Sequence, residues 1–167
     1  MNIYGYCRIS TAKQSIDRQI RNIKAEYPTA HIVQEAYTGT SIFRPEWLKL
    51  YRILRAGDVV VFDSVSRMSR NAEEGFALYD DLYHKGIRLV FLKEHHIDTE
   101  TYKKALSGSI AMTGTNVDFI LKGINEYLMA LAKEQIKLAF EQSEKEVADL
   151  HQRTREGLLT ARLNGKQ

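Results

Sequence analysis

Four short apolar runs, Ile3 to Cys7, His31 to Ala36, Asp58 to Phe62 and Arg88 to Leu92, are each separated by a segment of helical period. That alternation constrains the fold more than any other feature, because strands joined through helices pair in parallel and need helical cover on both faces. In the first connecting segment Ile16, Ile20, Ile23 and Tyr27 draw one apolar stripe, and Pro28 closes it. The second opens with Pro45, turns Leu48, Tyr51 and Leu54 inward and ends at Gly57. The third runs from Asn71 to Lys85, with capping-box spacing at Asn71 and Glu74, inward Phe76, Tyr79 and Tyr83, and a stop at Gly86. The expected class is α/β, a mainly parallel central sheet flanked by helices.

Beyond the last run the pattern changes twice. Glu94 to Gly123 is rich in Gly, Ser and Thr and reads as a long excursion, a mobile flap with a short helix near Tyr102 to Leu106. Ile124 to Leu163 then reads as one helix with Gly157 its sole breaker, about 60 Å long at ~1.5 Å per residue. Such a helix overshoots a small domain, so its apolar positions (Ile124, Leu128, Leu131 and Leu138, then Ile136, Phe140, Val147, Leu150 and Leu158) call for a partner helix. We therefore divide the chain into an α/β domain over 1–123 and a long helix for oligomerisation and polyanion contact over 124–167.

The 167 residues and 44% hydrophobic content suffice for one core. With no apolar stretch of membrane-spanning length and no secretory signal pattern at the start, a cytoplasmic protein is expected, without a membrane partner. Cys7, the single cysteine, excludes an internal disulfide and reads as a packing residue. From His151 onward Arg153, Arg155, Arg162 and Lys166 face one acid, Glu156, and this tail carries the whole net charge of +3. A basic helix end of this kind suits a polyanion such as DNA.

Parallel sheets bind ligands beyond the carboxyl ends of their strands. Tyr6-Cys7-Arg8-Ile9-Ser10 ends the first run there, placing a hydroxyl two residues from an arginine. Serine is a weak nucleophile at neutral pH, and attack on a phosphodiester needs cations around the phosphoryl oxygens. The competing reading is a polar cap, since Thr11 and Gln14 also have capping-box spacing. A second basic cluster, Ser66-Arg67-Met68-Ser69-Arg70, repeats the arrangement after the third run, and Arg67 and Arg70 would grip one phosphate from the first turn of a helix. The hydroxyl-rich turn Thr38 to Arg44 could add a third cation. His95, His96, Asp98 and Glu100 invite a metal reading, but their spacing converges in neither helix nor strand.

Taken together, Tyr6, Arg8, Ser10, Gln14 and Gln19, then Thr38 to Arg44, then Arg67 and Arg70 resemble the catalytic domain of the serine recombinases, the family of resolvases, invertases and large serine integrases. The resemblance covers Asn2 to Lys93 and resumes at Gln152 to Gly157. It implies that Ser10 attacks double-stranded DNA to give a 5′-phosphoserine link and a free 3′-hydroxyl. It further implies that Arg8, Arg67 and Arg70 hold the phosphate, that Arg44 assists, and that Gln14 and Gln19 order the site. No cofactor or metal is implied; dimers are, pairing into a synaptic tetramer. The chain departs from the pattern at Ser66, where relatives often carry aspartate, at Thr38, where serine is frequent, and in the longer 94–123 segment. Relatives continue past the long helix into a DNA-binding domain, and with none downstream of 124–167 the sequence is expected to represent the catalytic part alone. Two other readings stand beside this one: a non-catalytic dimerising module of the same fold, and a metal-dependent phosphohydrolase using His95, His96 and Asp98.

Overall fold

The computed structural model describes residues 1–9, 16–36, 44–69, 71–107 and 111–165, with backbone alone at 105–107, 146–148 and 150–151. Strands β1 (Ile3–Arg8), β2 (His31–Glu35), β3 (Val59–Phe62) and β4 (Arg88–Phe91) form one all-parallel sheet in the order β2-β1-β3-β4. Each lies within two residues of its apolar run, because a strand buried on both faces reads as unbroken hydrophobicity. The strand order reverses at β1, which is hydrogen-bonded to β2 on one side and β3 on the other.

That reversal distributes the helices. Helix α1 (Asp17–Glu26) leads from β1 out to β2, whereas α2 (Pro45–Ile53) and α4 (Ala72–His84) lead back the other way; right-handed crossovers in opposite senses land on opposite faces. Side chains of β1 and β3 alternate accordingly. Cys7, Val59 and Val61 meet Ile23 of α1, while Tyr6, Val60 and Phe62 enter the larger core beneath α2 and α4. The larger core is aromatic: Phe62 stacks on Phe91 at 5.3 Å and Trp47 meets Tyr6 edge-on at 5.2 Å. Gly5 keeps α1 close, since a Cβ there would lie 2.8 Å from Ile23 Cγ2.

Three expectations are corrected. On α2 the inward residues are Trp47 and Leu50, and Leu48 is exposed, because Glu35 receives the N–H groups of Glu46 and Trp47 and so sets the helix's rotation. Gly57 is no helix cap: α2 ends at Ile53, and Gly57 (φ +94°) makes the turn into β3. The segment after β4 is also more ordered than its composition suggested. A 3-10 turn (His95–Ile97) leads into α5 (Thr99–Ser107), where Thr99 Oγ1 and Asp98 Oδ1 accept the outward N–H groups of Leu89 and Phe91 at 2.8 and 2.7 Å. These side chains cover the open edge of β4. The capping of α4 matches its sequence signature: Asn71 Oδ1 accepts the Glu74 N–H at 3.0 Å, and Gly86 (φ +77°) follows the helix.

The long helix α6 (Asp118–Leu163) has 46 residues and starts before Ile124. At ~1.5 Å per residue it is about 69 Å long. The Asp118 carboxylate accepts the N–H groups of Thr113 and Gly114, which holds it below the usual range. Part of α6 docks: Ile136, Ala139 and Phe140 are buried, and Glu144 Oε2 accepts the N–H of Ala72 at the start of α4 at 3.1 Å. Docking depends on Gly75, where a Cβ would sit 2.6 Å from Phe140 Cδ1. Other described apolar residues of the helix are left exposed, Phe119 at 82%, Leu158 at 65% and Leu163 at 78%. Among the described residues no helix is long and apolar enough to cross a membrane.

Candidate active site at the end of β1

Of the residues singled out in the sequence, Ser10, Gln14, Thr38, Arg70 and Lys166 lie outside the described residues, and Tyr6, Arg8, Gln19, Arg44, Ser66 and Arg67 lie within them. These six converge. Gln19 is 2% exposed and clamps the backbone of Arg8 from both sides: its Oε1 accepts the Arg8 N–H at 3.1 Å, and its Nε2 donates to the Arg8 carbonyl at 2.8 Å. The first turns of α1 are thereby tied to the last residue of β1.

A short helix, α3 (Val65–Met68), follows β3 and faces the same strand end. Arg67 Nη1 donates to the Arg8 carbonyl at 3.1 Å, and Arg8 Nη2 donates to the Ser66 carbonyl at 2.5 Å, so β1 and α3 are cross-braced by an arginine from each. Arg44, at the start of α2, donates through Nη1 to the Met68 carbonyl. Three half-buried guanidinium groups from β1, α2 and α3 are thus gathered by main-chain acceptors. A fork held in this way retains its planar set of donors without a rotamer search.

The shared first turn expected for Arg67 and Arg70 lies partly outside the described residues, because Arg70 does. Arg67 falls in the four-residue helix α3, Ser69 is extended (φ −155°, ψ 151°), and α4 begins at Ala72. Ser69 Oγ donates to the Asn71 carbonyl at 3.0 Å and accepts the Asn71 N–H at 3.2 Å. Ser66 Oγ lies 2.7 Å from Ser64 Oγ. Arg153, Arg155 and Arg162 stand exposed on the outer part of α6, away from this cluster.

Three carboxylates of the site were not singled out from the sequence. Glu35, 3% exposed, accepts the Tyr6 hydroxyl at 3.2 Å and the Trp47 N–H at 2.9 Å. Burial, followed by the Glu35 charge, pushes the Tyr6 phenol up, with Arg44 and Arg8 acting in the opposite sense. Glu94 Oε2 accepts the Val65 N–H at 3.1 Å and so caps α3, where Ser64 makes no side-chain cap. Asp63, 1% exposed, ends β3 on the α1 side. Burial, followed by the Asp63 charge, pushes the neighbouring Cys7 thiol up to about 12, with Arg67 acting in the opposite sense. An acid closing each of two apolar runs was the available signal. His95 Nδ1 lies 2.7 Å from Asp98 Oδ2, and no group of three His, Cys, Asp or Glu placed to hold a metal occurs among the described residues.

A cationic strand-end cluster beside the switch-point strand defines an α/β domain suited to anionic ligands. Residues 3–136 match the family model "Resolvase, N terminal domain", and the chain belongs to the resolvase family, the serine recombinases its motifs resemble. It is 28% identical over 166 residues to a resolvase of Clostridium perfringens, covering 98% of this chain and 74% of that protein. It is also 27% identical over 159 residues to the transposon Tn21 resolvase of Escherichia coli, covering 92% and 83%. A crystal structure of a resolvase family site-specific recombinase from Streptococcus pneumoniae aligns at 19% identity and a TM-score of 0.47, covering 96% of this chain and 97% of that one.

Proposed function

We propose that this chain is the catalytic domain of a site-specific DNA recombinase in which Ser10 is the nucleophile. The observation that carries the reading is the cross-bracing of β1 and α3, Arg67 on the Arg8 carbonyl and Arg8 on the Ser66 carbonyl, which holds two cations from separate elements at the strand end two residues before Ser10. Attack by Ser10 Oγ on a DNA phosphodiester forms the Oγ–P bond and breaks the P–O3′ bond. The hydroxyl proton leaves Ser10, and the departing 3′-oxygen takes up a proton. One phosphodiester replaces another, so the linkage is ready for rejoining by the reverse step.

Negative charge gathers on the phosphoryl oxygens as the pentavalent state forms, and arginines already oriented cost no reorganisation at that moment. Arg8, Arg67 and Arg70 supply these donors in our reading, Arg44 assists, and Gln14, Gln19, Tyr6, Thr38 and Ser66 support the site. Double-stranded DNA is the partner, with Arg153, Arg155, Arg162 and Lys166 on its phosphates. Apolar faces of α6 pair two copies, and two pairs assemble for strand exchange. In domain terms, 1–123 does the chemistry and 124–167 the assembly.

The test joins the chain to a DNA-binding module of known site and incubates it with a nicked suicide substrate. A covalent adduct that survives denaturation and disappears in Ser10→Ala is expected. An adduct that persists in Ser10→Ala, or none from a folded, DNA-bound fusion, would overturn the assignment.

A further inference from the structure

Asp63 is a buried carboxylate with no part in the chemistry above. Its Oδ1 accepts Asn22 Nδ2 of α1 at 3.0 Å, its Oδ2 has the Lys93 ammonium 3.4 Å away, and its carbonyl accepts the Lys93 N–H at 3.1 Å. Three elements therefore meet at the residue that follows β3: α1, β3 and the segment leaving β4. Burying a carboxylate is costly, and a buried ion pair is poor evidence for stability by itself, so stability alone does not account for an acid here.

Its position relative to the arginine cluster does. Asn22 lies three residues after Gln19, on the same face of α1. Gln19 clamps both backbone groups of Arg8, and the Arg8 carbonyl it holds also receives Arg67. Helix α1 is thus pinned to the sheet at two adjacent points, the end of β1 through Gln19 and the end of β3 through Asn22. Arg67, four residues beyond Asp63, leans on the first pin. If the second is loosened, α1 can shift along the sheet, and the carbonyl that orients Arg67 shifts with it.

We infer that Asp63 is a positioning residue for the cleavage chemistry: by fixing α1 through Asn22 and tying in Lys93, it keeps the Arg8 carbonyl and Arg67 in register. The inference rests on the recombinase reading for its kinetic consequence and on geometry alone for its structural one. Asp63→Ala and Asp63→Asn should be compared with Val61→Ala, an apolar deletion on the same sheet face that removes no hydrogen bond of either pin.

Amide hydrogen exchange on the free protein is read first. In Asp63→Ala the Arg8 N–H should lose at least tenfold in protection while the Val60 N–H keeps its own; in Val61→Ala any losses should run in parallel. Adduct formation by the fusion is read second. Its single-turnover rate should fall at least tenfold in Asp63→Ala with DNA affinity unchanged, and Asp63→Asn, which retains an acceptor for Asn22, should recover part of that rate. Unchanged protection at Arg8, protection lost only in step with Val60, or an unchanged rate would each overturn the inference. If the unsubstituted chain forms no Ser10-dependent adduct, the recombinase reading falls, and the exchange result alone decides whether Asp63 holds the cluster.

Discussion

The end of the sheet and the long helix solve opposite problems. At the end of β1, polar and charged side chains are withdrawn from water and held by main-chain groups: Gln19 on Arg8, Arg67 on Arg8, Arg8 on Ser66, and Glu35 under Tyr6 and Trp47. Along α6, apolar side chains such as Phe119, Leu158 and Leu163 are left in water. In the first region, acceptors of the same chain fix the described side chains before any ligand arrives. The second is docked on its own domain around Phe140. Buried polar order and exposed apolar surface are therefore assigned to different parts of one chain, and they should respond differently to substitution.

The largest contrast is expected within α6 itself. Phe140→Ala should destabilise the protein by about 3–5 kcal/mol, the range for deleting a buried aromatic ring, read as a lower urea midpoint. Leu158→Ala, removing an exposed side chain, should stay within about 0.5 kcal/mol. Equal losses would mean that the outer helix packs on its own domain after all.

A smaller effect is expected beneath the site. Glu35→Ala leaves the Tyr6 hydroxyl and the Trp47 N–H without their acceptor, and an orphaned buried polar group costs about 1–3 kcal/mol. Adding Tyr6→Phe to that variant should cost little more, since the hydroxyl has already lost its partner. Full additivity in the double-mutant cycle would show that the two groups act separately.

The smallest effect depends on pH and lies outside the strand-end cluster. A hydrogen bond donated to Asp98, with Glu26 3.6 Å from the other ring nitrogen, raises the His95 pKa above its ordinary value of 6.5. A raised folded-state value means the stabilisation is full below the unfolded pKa and is lost as pH rises through the folded one. His95→Gln should therefore be less stable than the unsubstituted chain at pH 6 and equal to it at pH 9. The ring is half exposed, so the difference should be a fraction of a kcal/mol, of the order seen for surface pairs. A difference that grows with pH would reverse the assignment of the charged form.

What could be read in advance follows from the range of the interactions. The strands were legible because burial on both faces leaves an apolar run, and the start and stop of α4 because Asn71 and Gly86 act locally. The rotation of α2 was not, since it depends on Glu35 reaching forward to Glu46 and Trp47. The break between Arg67 and Ala72 was hidden for a related reason: a four-residue helix leaves no periodicity to read, and the N–H at its start is capped by Glu94, 29 residues away. Arg8 and Arg67 were legible as residues, but the hold of Arg67 on the Arg8 carbonyl across 59 positions was not.

Gly75 has a consequence well beyond its neighbours. A ring seated where a glycine leaves a gap has one angular setting, so Phe140 locks the azimuth of α6 about its own axis. Leu158 lies 18 residues further along, roughly 27 Å at ~1.5 Å per residue, and a continuous helix transmits that angle to it. The compass bearing of the outer apolar face is thus decided at a distance, by a missing methyl group on another helix.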